Sequence, residues 1–218
     1  MGCGRSVGRL IESPLVVKDG ARNNTNTTLS GTGAIMVVYL LCLKGELEGV
    51  QSIVLDRTAN ICISVRDTKS DETREKVVFN MSETLEQEES DREPAHHFAL
   101  TWEGQKKKSI IQVLDEAQVK AIMKKGKKKK GGGGSEVGEP REITADDTGE
   151  FVPVLALECR GLEPYAFHPM GEELIVTSEG GAEFSSDLTL DEGDWADYDD
   201  ENDISISISD FASKFVSA

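Results

Sequence analysis

The residues of this 218-residue chain best suited to nucleophilic or metal chemistry are four cysteines and three histidines, and their spacing limits what they can do. Cys3, Cys42, Cys62 and Cys159 stand far apart and form no CxxC pair, the spacing that lets two thiolates on one turn share a metal ion. Cys159 lies in "VLALECRGLEPYAFHP", where Gly161 and Pro164 mark a turn and His168 follows nine residues on. A reactive thiol needs a neighbouring base and some exposure. Here Leu155, Leu157 and Cys159 share one face at period two, with Glu158 and Arg160 opposite. That pattern predicts a core thiol rather than a nucleophile or a ligand; a thiol-dependent enzyme built on Cys159 is the lesser alternative. His96 and His97 are adjacent, so on a strand they face opposite ways and make a poor metal pair even with Asp67. "PAHHF" reads as an exposed strand entry.

A second chemical cluster is acidic. Residues 187–203 carry nine carboxylates (Asp187, Asp191, Glu192, Asp194, Asp197, Asp199, Asp200, Glu201 and Asp203), interleaved with Trp195 and Tyr198. Calcium loops need ligands at fixed offsets around a turn glycine, and that spacing is missing. The segment predicts a structural loop, with contact to a basic partner as the other reading. No P-loop, nucleophile elbow or dinucleotide fingerprint occurs, so no enzyme is expected.

The elements that must position these residues are mostly strands. "YLLCLKGELEGV" puts Tyr39, Leu41, Leu43 and Leu47 on one face and Lys44, Glu46 and Glu48 on the other, as in a half-buried strand. "NICISVRD", "KVVFNM", "HHFALTW", "KSIIQVL", "FVPVLALECR", "ELIVTS" and "DISISISDF" extend the pattern. Only "DEAQVKAIMKK" has helical spacing, with Ala117, Ala121 and Ile122 on one side. "SETLEQEESDREP" reads as an acidic loop. The expected fold is mostly all-β, sandwich- or barrel-like, with two small β-rich halves at 36–123 and 141–218. Residues 124–140 are expected as a Lys/Gly-rich insertion between them, natural rather than an engineered scar, and residues 1–35 as a disordered extension.

Composition removes several function classes. With a net charge of −16, the surface repels a phosphate backbone, and no nucleic-acid partner is expected. The longest apolar run, ten residues from Ala34 to Leu43, is too short to span a bilayer. Scattered cysteines fit a reducing, cytoplasmic setting, which leaves the sequons at Asn23, Asn26 and Asn80 idle. "MGCGRS" matches an N-myristoylation pattern at Gly2, with Cys3 placed for palmitoylation, and membrane contact is expected only if these are acylated. Residues 124–130 hold six lysines, read first as a solvated insertion and otherwise as a nuclear-entry or anionic-surface patch. The chain is expected to be a monomer with an unidentified protein partner.

"ITADDTGEFVPVLALECRGLEPYAFHPMGEE" and "FSSDLTLDEGDWADYDDENDISI" resemble the eukaryotic CXXC-motif-containing zinc-binding protein family, over about residues 141–209. "MVVYLLCLKGELEGV" resembles the family's first strand, which makes Met36 look like the ancestral start. The resemblance implies a small, mostly β protein of two related halves, with zinc held by two CxxC pairs in the first half. Where one pair is expected after a strand, this chain reads "VRDTKSDE", with Asp67 and Ser70 at the cysteine positions. Where the second is expected, "FALTWEGQKKKSI" places Trp102 and Gln105. Hydroxyl, amide and indole do not replace thiolates on tetrahedral zinc. The expectation is therefore a non-enzymatic binding or adaptor protein with a decayed zinc site and no cofactor. The alternative is a zinc- or copper-handling protein with a rebuilt site.

Overall fold

The structure, a computed structural model, describes residues 36–86, 94–129, 138–186, 188–190 and 192–218. Residues 1–35, expected as a disordered extension and including Gly2, Cys3, Asn23 and Asn26, residues 87–93 of the expected acidic loop, residues 130–137, Asp187 and Asp191 lie outside the described residues, as do the side chains of 124–129. In chain order the strands are β1 (Met36–Glu48), β2 (Val50–Leu55), β3 (Asn60–Asp67), β4 (Thr73–Asn80), β5 (Phe98–Leu100) and β6 (Ser109–Val113). Helix α1 (Glu116–Lys129) follows, then β7 (Ile143–Thr144), β8 (Val152–Arg160), β9 (Leu162–Phe167) and β10 (Leu174–Ser178). The chain closes with β11 (Glu183–Phe184), β12 (Trp195–Asp199) and β13 (Ile204–Ser217).

The fold is mostly β, in three curled antiparallel sheets. A six-stranded sheet has the order β12-β13-β1-β8-β6-β5, a four-stranded one β11-β10-β2-β7, and a three-stranded one β4-β3-β9. Every sheet draws strands from both sides of residues 124–140, so the two β-rich stretches interleave rather than stand apart. The central pairing of β1 with β8 (Val37 opposite Cys159, Tyr39 opposite Leu157) is the seam between them.

β1 departs from the half-buried pattern. Its inward residues Tyr39, Leu41 and Leu43 join the main core with Leu155, Leu157, Ile61, Ile63, Ile206 and Ile208. Val38, Leu40 and Cys42, on the other face, are buried too, under Leu114 and Val119. The cover is α1. Its first turn is fixed reciprocally: Asp115 Oδ1 accepts the Gln118 amide at 2.7 Å, and Gln118 Oε1 accepts the Asp115 amide at 3.0 Å. This is a capping box written in "DEAQ". The face it lays on the sheet is Val119, Ile122 and Met123, while Ala117 and Ala121 stay exposed. The larger side chains take the buried side because each is worth about 1.5–3 kcal/mol there and alanine far less. The backbone of α1 continues to Lys129, past the expected end.

The segment 187–203, expected as a structural loop, contains an edge strand, β12. Trp195 of β12 is buried against Phe184, edge to face at 6.0 Å. Asp199 is buried as well, accepting the Ser178 hydroxyl at 2.6 Å and the Asn202 side-chain Nδ2 at 2.9 Å. Tyr198, at 43% exposure, faces solvent and donates its hydroxyl to Asp203.

Candidate functional site: two facing turns

The positions singled out at 67, 70, 102 and 105 lie on two turns. Asp67 ends β3, and its amide donates to the Glu72 carbonyl at 2.9 Å, which closes the loop before β4. Across this loop Ser70 Oγ donates to Asp67 Oδ2 at 2.7 Å. The second turn joins β5 to β6: the Gln105 amide donates to the Trp102 carbonyl at 3.1 Å, with Gly104 at φ +72°. A glycine suits that left-handed corner because a Cβ there is strained.

The two turns meet. Gln105 Nε2 donates to the same Asp67 Oδ2 at 2.7 Å, from 38 residues away in sequence. Next to it, the Glu103 amide donates to Glu72 Oε2 at 3.1 Å. Glu72 also pairs with Arg74 at 2.6 Å, and the Arg74 guanidinium lies over the Trp102 ring at 5.6 Å. Asp67 is buried, 5% exposed, and its Oδ1 has no hydrogen-bond partner among the described residues. The loop beside it lines an open cleft of about 510 Å³ formed by Arg66, Thr68, Lys69, Ser70, Asp71 and Thr73.

Three of the four positions thus converge on one carboxylate oxygen, and the fourth does not. The Trp102 side chain is core, 1% exposed, and its Nε1 donates to Ser109 Oγ at 3.0 Å and to the Gly161 carbonyl at 3.2 Å. This donor set does not fit zinc. Asp67 is the only anion at the four positions, its Oδ2 already takes two hydrogen bonds, and an indole N–H offers no lone pair to a metal. Among the described residues no group of three or more His, Cys, Asp or Glu is placed to hold a metal ion.

The histidines do not rebuild a site. His96 is buried rather than exposed, 4% accessible, with Nδ1 against the Pro94 carbonyl at 3.0 Å. His97 Nδ1 accepts the Val113 amide at 3.1 Å, and burial, then the neighbouring His96, hold its pKa below the ordinary imidazole value. Both rings serve the entry into β5. Cys159 is 1% exposed and faces the core; burial first, then Glu158 and Glu163, push its thiol far up. His168 turns elsewhere: Ser64 Oγ and His168 Nε2 are 2.7 Å apart, and Ser64 Oγ also accepts the Lys76 amide at 3.1 Å. Lys76 sits at φ +52°, at the irregular pairing of β3 with β4.

Two buried polar networks carry little or no signal in the sequence. Asp147 takes both Arg141 guanidinium nitrogens at 2.7 and 2.5 Å and the Thr144 amide at 2.9 Å. The Arg141 bond, more than any other cause, holds its carboxyl well below the usual range. The T-x-x-D spacing of Thr144 and Asp147 is a legible signal for part of it. The link from Ser64 to His168 spans 104 residues and leaves no local signal.

A small, mostly β protein of curled sheets, carrying two turns with i, i+3 spacing that face each other, is the class this geometry defines. Residues 40–216 match the model of the family described as CXXC motif containing zinc binding protein, eukaryotic, and the chain belongs to that family. It is 42% identical over 73 residues to UPF0587 protein CG4646 of Drosophila melanogaster, covering 34% of this chain and 44% of that protein. It is 39% identical over 76 residues to the human CXXC motif containing zinc binding protein, covering 35% of this chain and 47% of that one. The matched stretch spans less than half the length of these relatives. Among solved structures, a hypothetical protein from Plasmodium falciparum aligns over 82% of this chain and 99% of its own, with a TM-score of 0.65 at 21% identity. The crystal structure of C1orf123 aligns over 83% and 99%, with a TM-score of 0.64 at 20% identity. At these identities the likeness is one of fold.

Proposed function

We propose that the chain is a non-enzymatic binding protein, an adaptor for a protein partner, that keeps the family's β scaffold without using zinc. The observation that carries this reading is the donor set at the two turns, where one carboxylate, one hydroxyl and one amide meet and the indole is engaged in the core. Against an enzyme stands the state of Cys159, whose buried thiol has His168 bound to Ser64 instead of to itself. The relatives' names say zinc binding, which favours a second reading, a protein that handles zinc, with copper as its chemical alternative. Elemental analysis of the purified full-length chain separates the two. The proposal expects far less than one zinc or copper per chain after exposure to either metal; stoichiometric metal that survives gel filtration supports the second reading instead.

A further inference from the structure

The family is described by a CXXC motif and by zinc, whereas this chain contains no CxxC at all. It still places two i, i+3 turns face to face, and something must hold them there. We infer that the Asp67 carboxylate has taken over the cross-link between the turns: Asp67 Oδ2 is the common acceptor that ties the β3–β4 loop to the β5–β6 turn, so the scaffold is closed without a metal. This inference rests on the zinc-free reading above and adds to it a residue that does the work.

Three features of the carboxylate suit it to this role. First, its bonds are charge-assisted, from an N–H and an O–H to a carboxylate, and such bonds are roughly twice as strong as neutral ones. Both are short, at 2.7 Å. Second, the acceptor is buried, so solvent does not compete well for it. Third, the link is long in sequence. Asp67 and Gln105 are 38 residues apart, and the stretch between them includes β4, the acidic segment and β5. A point of closure across such a loop fixes two turns that otherwise close only locally. The companion bond from the Glu103 amide to Glu72 runs between the same two turns, and Arg74 holds Glu72 in place. Among the described residues Asp67 Oδ1 has no hydrogen-bond partner, so both bonds of the carboxylate run through Oδ2.

The test is backbone hydrogen exchange on the full-length chain, with and without a strong zinc chelator. Gln105→Ala lies on one turn, and the cross-link predicts that amides of the other turn, residues 67–73, lose about tenfold protection in this variant. Asp67→Ala should loosen residues 102–106 to a similar extent. The double variant should be no looser than Asp67→Ala alone, because both substitutions break the same link. Chelator should leave the wild-type exchange pattern unchanged. If Gln105→Ala changes exchange only within its own turn, or if the two substitutions add, the carboxylate is not a cross-link and the inference fails, although the zinc-free reading stands. A wild-type pattern that loosens in chelator overturns both. Should Asp67→Ala not fold, Gln105→Ala and Ser70→Ala, which each remove one donor at a partly or fully exposed position, decide the matter through the exchange of the facing turn.

Discussion

Acid should weaken this protein through His168, and the structure allows the size of the effect to be worked out. Ser64 Oγ accepts the Lys76 amide, and the tautomer that gives its own proton an acceptor is the neutral ring with Nε2 unprotonated, which then accepts the Ser64 hydroxyl. Protonation makes Nε2 a donor. Ser64 Oγ then faces two donors, and its own proton loses its acceptor at a position only 1% exposed. A buried group left unsatisfied costs about 1–3 kcal/mol, and the half-exposed ring of His168 argues for the low end, about 1 kcal/mol. The charged groups acting on the ring come from β4: Lys76 lowers its pKa and Glu75 raises it, with burial the largest cause and the net direction downward. On the side of its own loop, the Glu173 carboxylate is taken up by the Met170 and Glu172 amides. Because the folded value lies below the ordinary one, the contribution is complete above the unfolded histidine pKa, about 6.5. It is lost as pH falls from there through the folded value. Urea unfolding at pH 7.5 and 5.0 should show the wild type losing about 1 kcal/mol more than His168→Gln, whose Oε1 can accept the Ser64 hydroxyl but does not titrate. The other histidines are the same in both proteins and cancel in the difference. Equal losses in the two, or a larger loss in the variant, would refute the reasoning.

Asp147→Asn should cost about 1 kcal/mol at neutral pH, the low end for a charged hydrogen-bonded pair because the Arg141 side chain is half exposed. Its folded pKa is depressed, so the contribution is present above the ordinary carboxylate value and fades as pH drops below about 4; acid titrations of the variant and wild type should draw together from there downward, as pH falls toward the folded value. Trp102→Phe trims the buried bicyclic indole to a single ring and removes its N–H from Ser109 Oγ and the Gly161 carbonyl, which keeps the Ser109 hydroxyl as a donor, and should lower stability by about 1–3 kcal/mol in denaturant unfolding. Cys159 should resist alkylation in the folded protein at pH 8 and react fully in denaturant, as read by peptide mass mapping; rapid labelling of the native chain would return the thiol-enzyme reading to consideration.

Alternation by itself determined eight of the strands, but not β2, β7, β9, β11 or β12, and Pro164, read as a turn residue, lies inside β9 opposite Val65. Ile204, Ile206 and Ile208 against Ser205 and Ser207, or Leu155, Leu157 and Cys159 along one line, carry their inward face in a period of two that any strand must obey. The same local rule assigned Cys159 to the core, and "ECRGLEP" with "DWADYDD" carried the family. Only the tertiary structure decided which strands are covered twice. β1 reads as half-buried until α1 lies on Val38, Leu40 and Cys42, and α1 turned Val119 and Met123 inward where alanine spacing suggested otherwise. His96 became buried for the same kind of reason, since exposure depends on neighbours that arrive from elsewhere in the chain. The site was legible as four positions and illegible as an arrangement. Nothing local says that Gln105 reaches Asp67, that Trp102 turns away to Ser109, or that Ser64 meets His168. Periodicity is a property of the backbone and survives in sequence, whereas a hydrogen bond across 38 or 104 residues exists only once the sheets have set the distance between its ends.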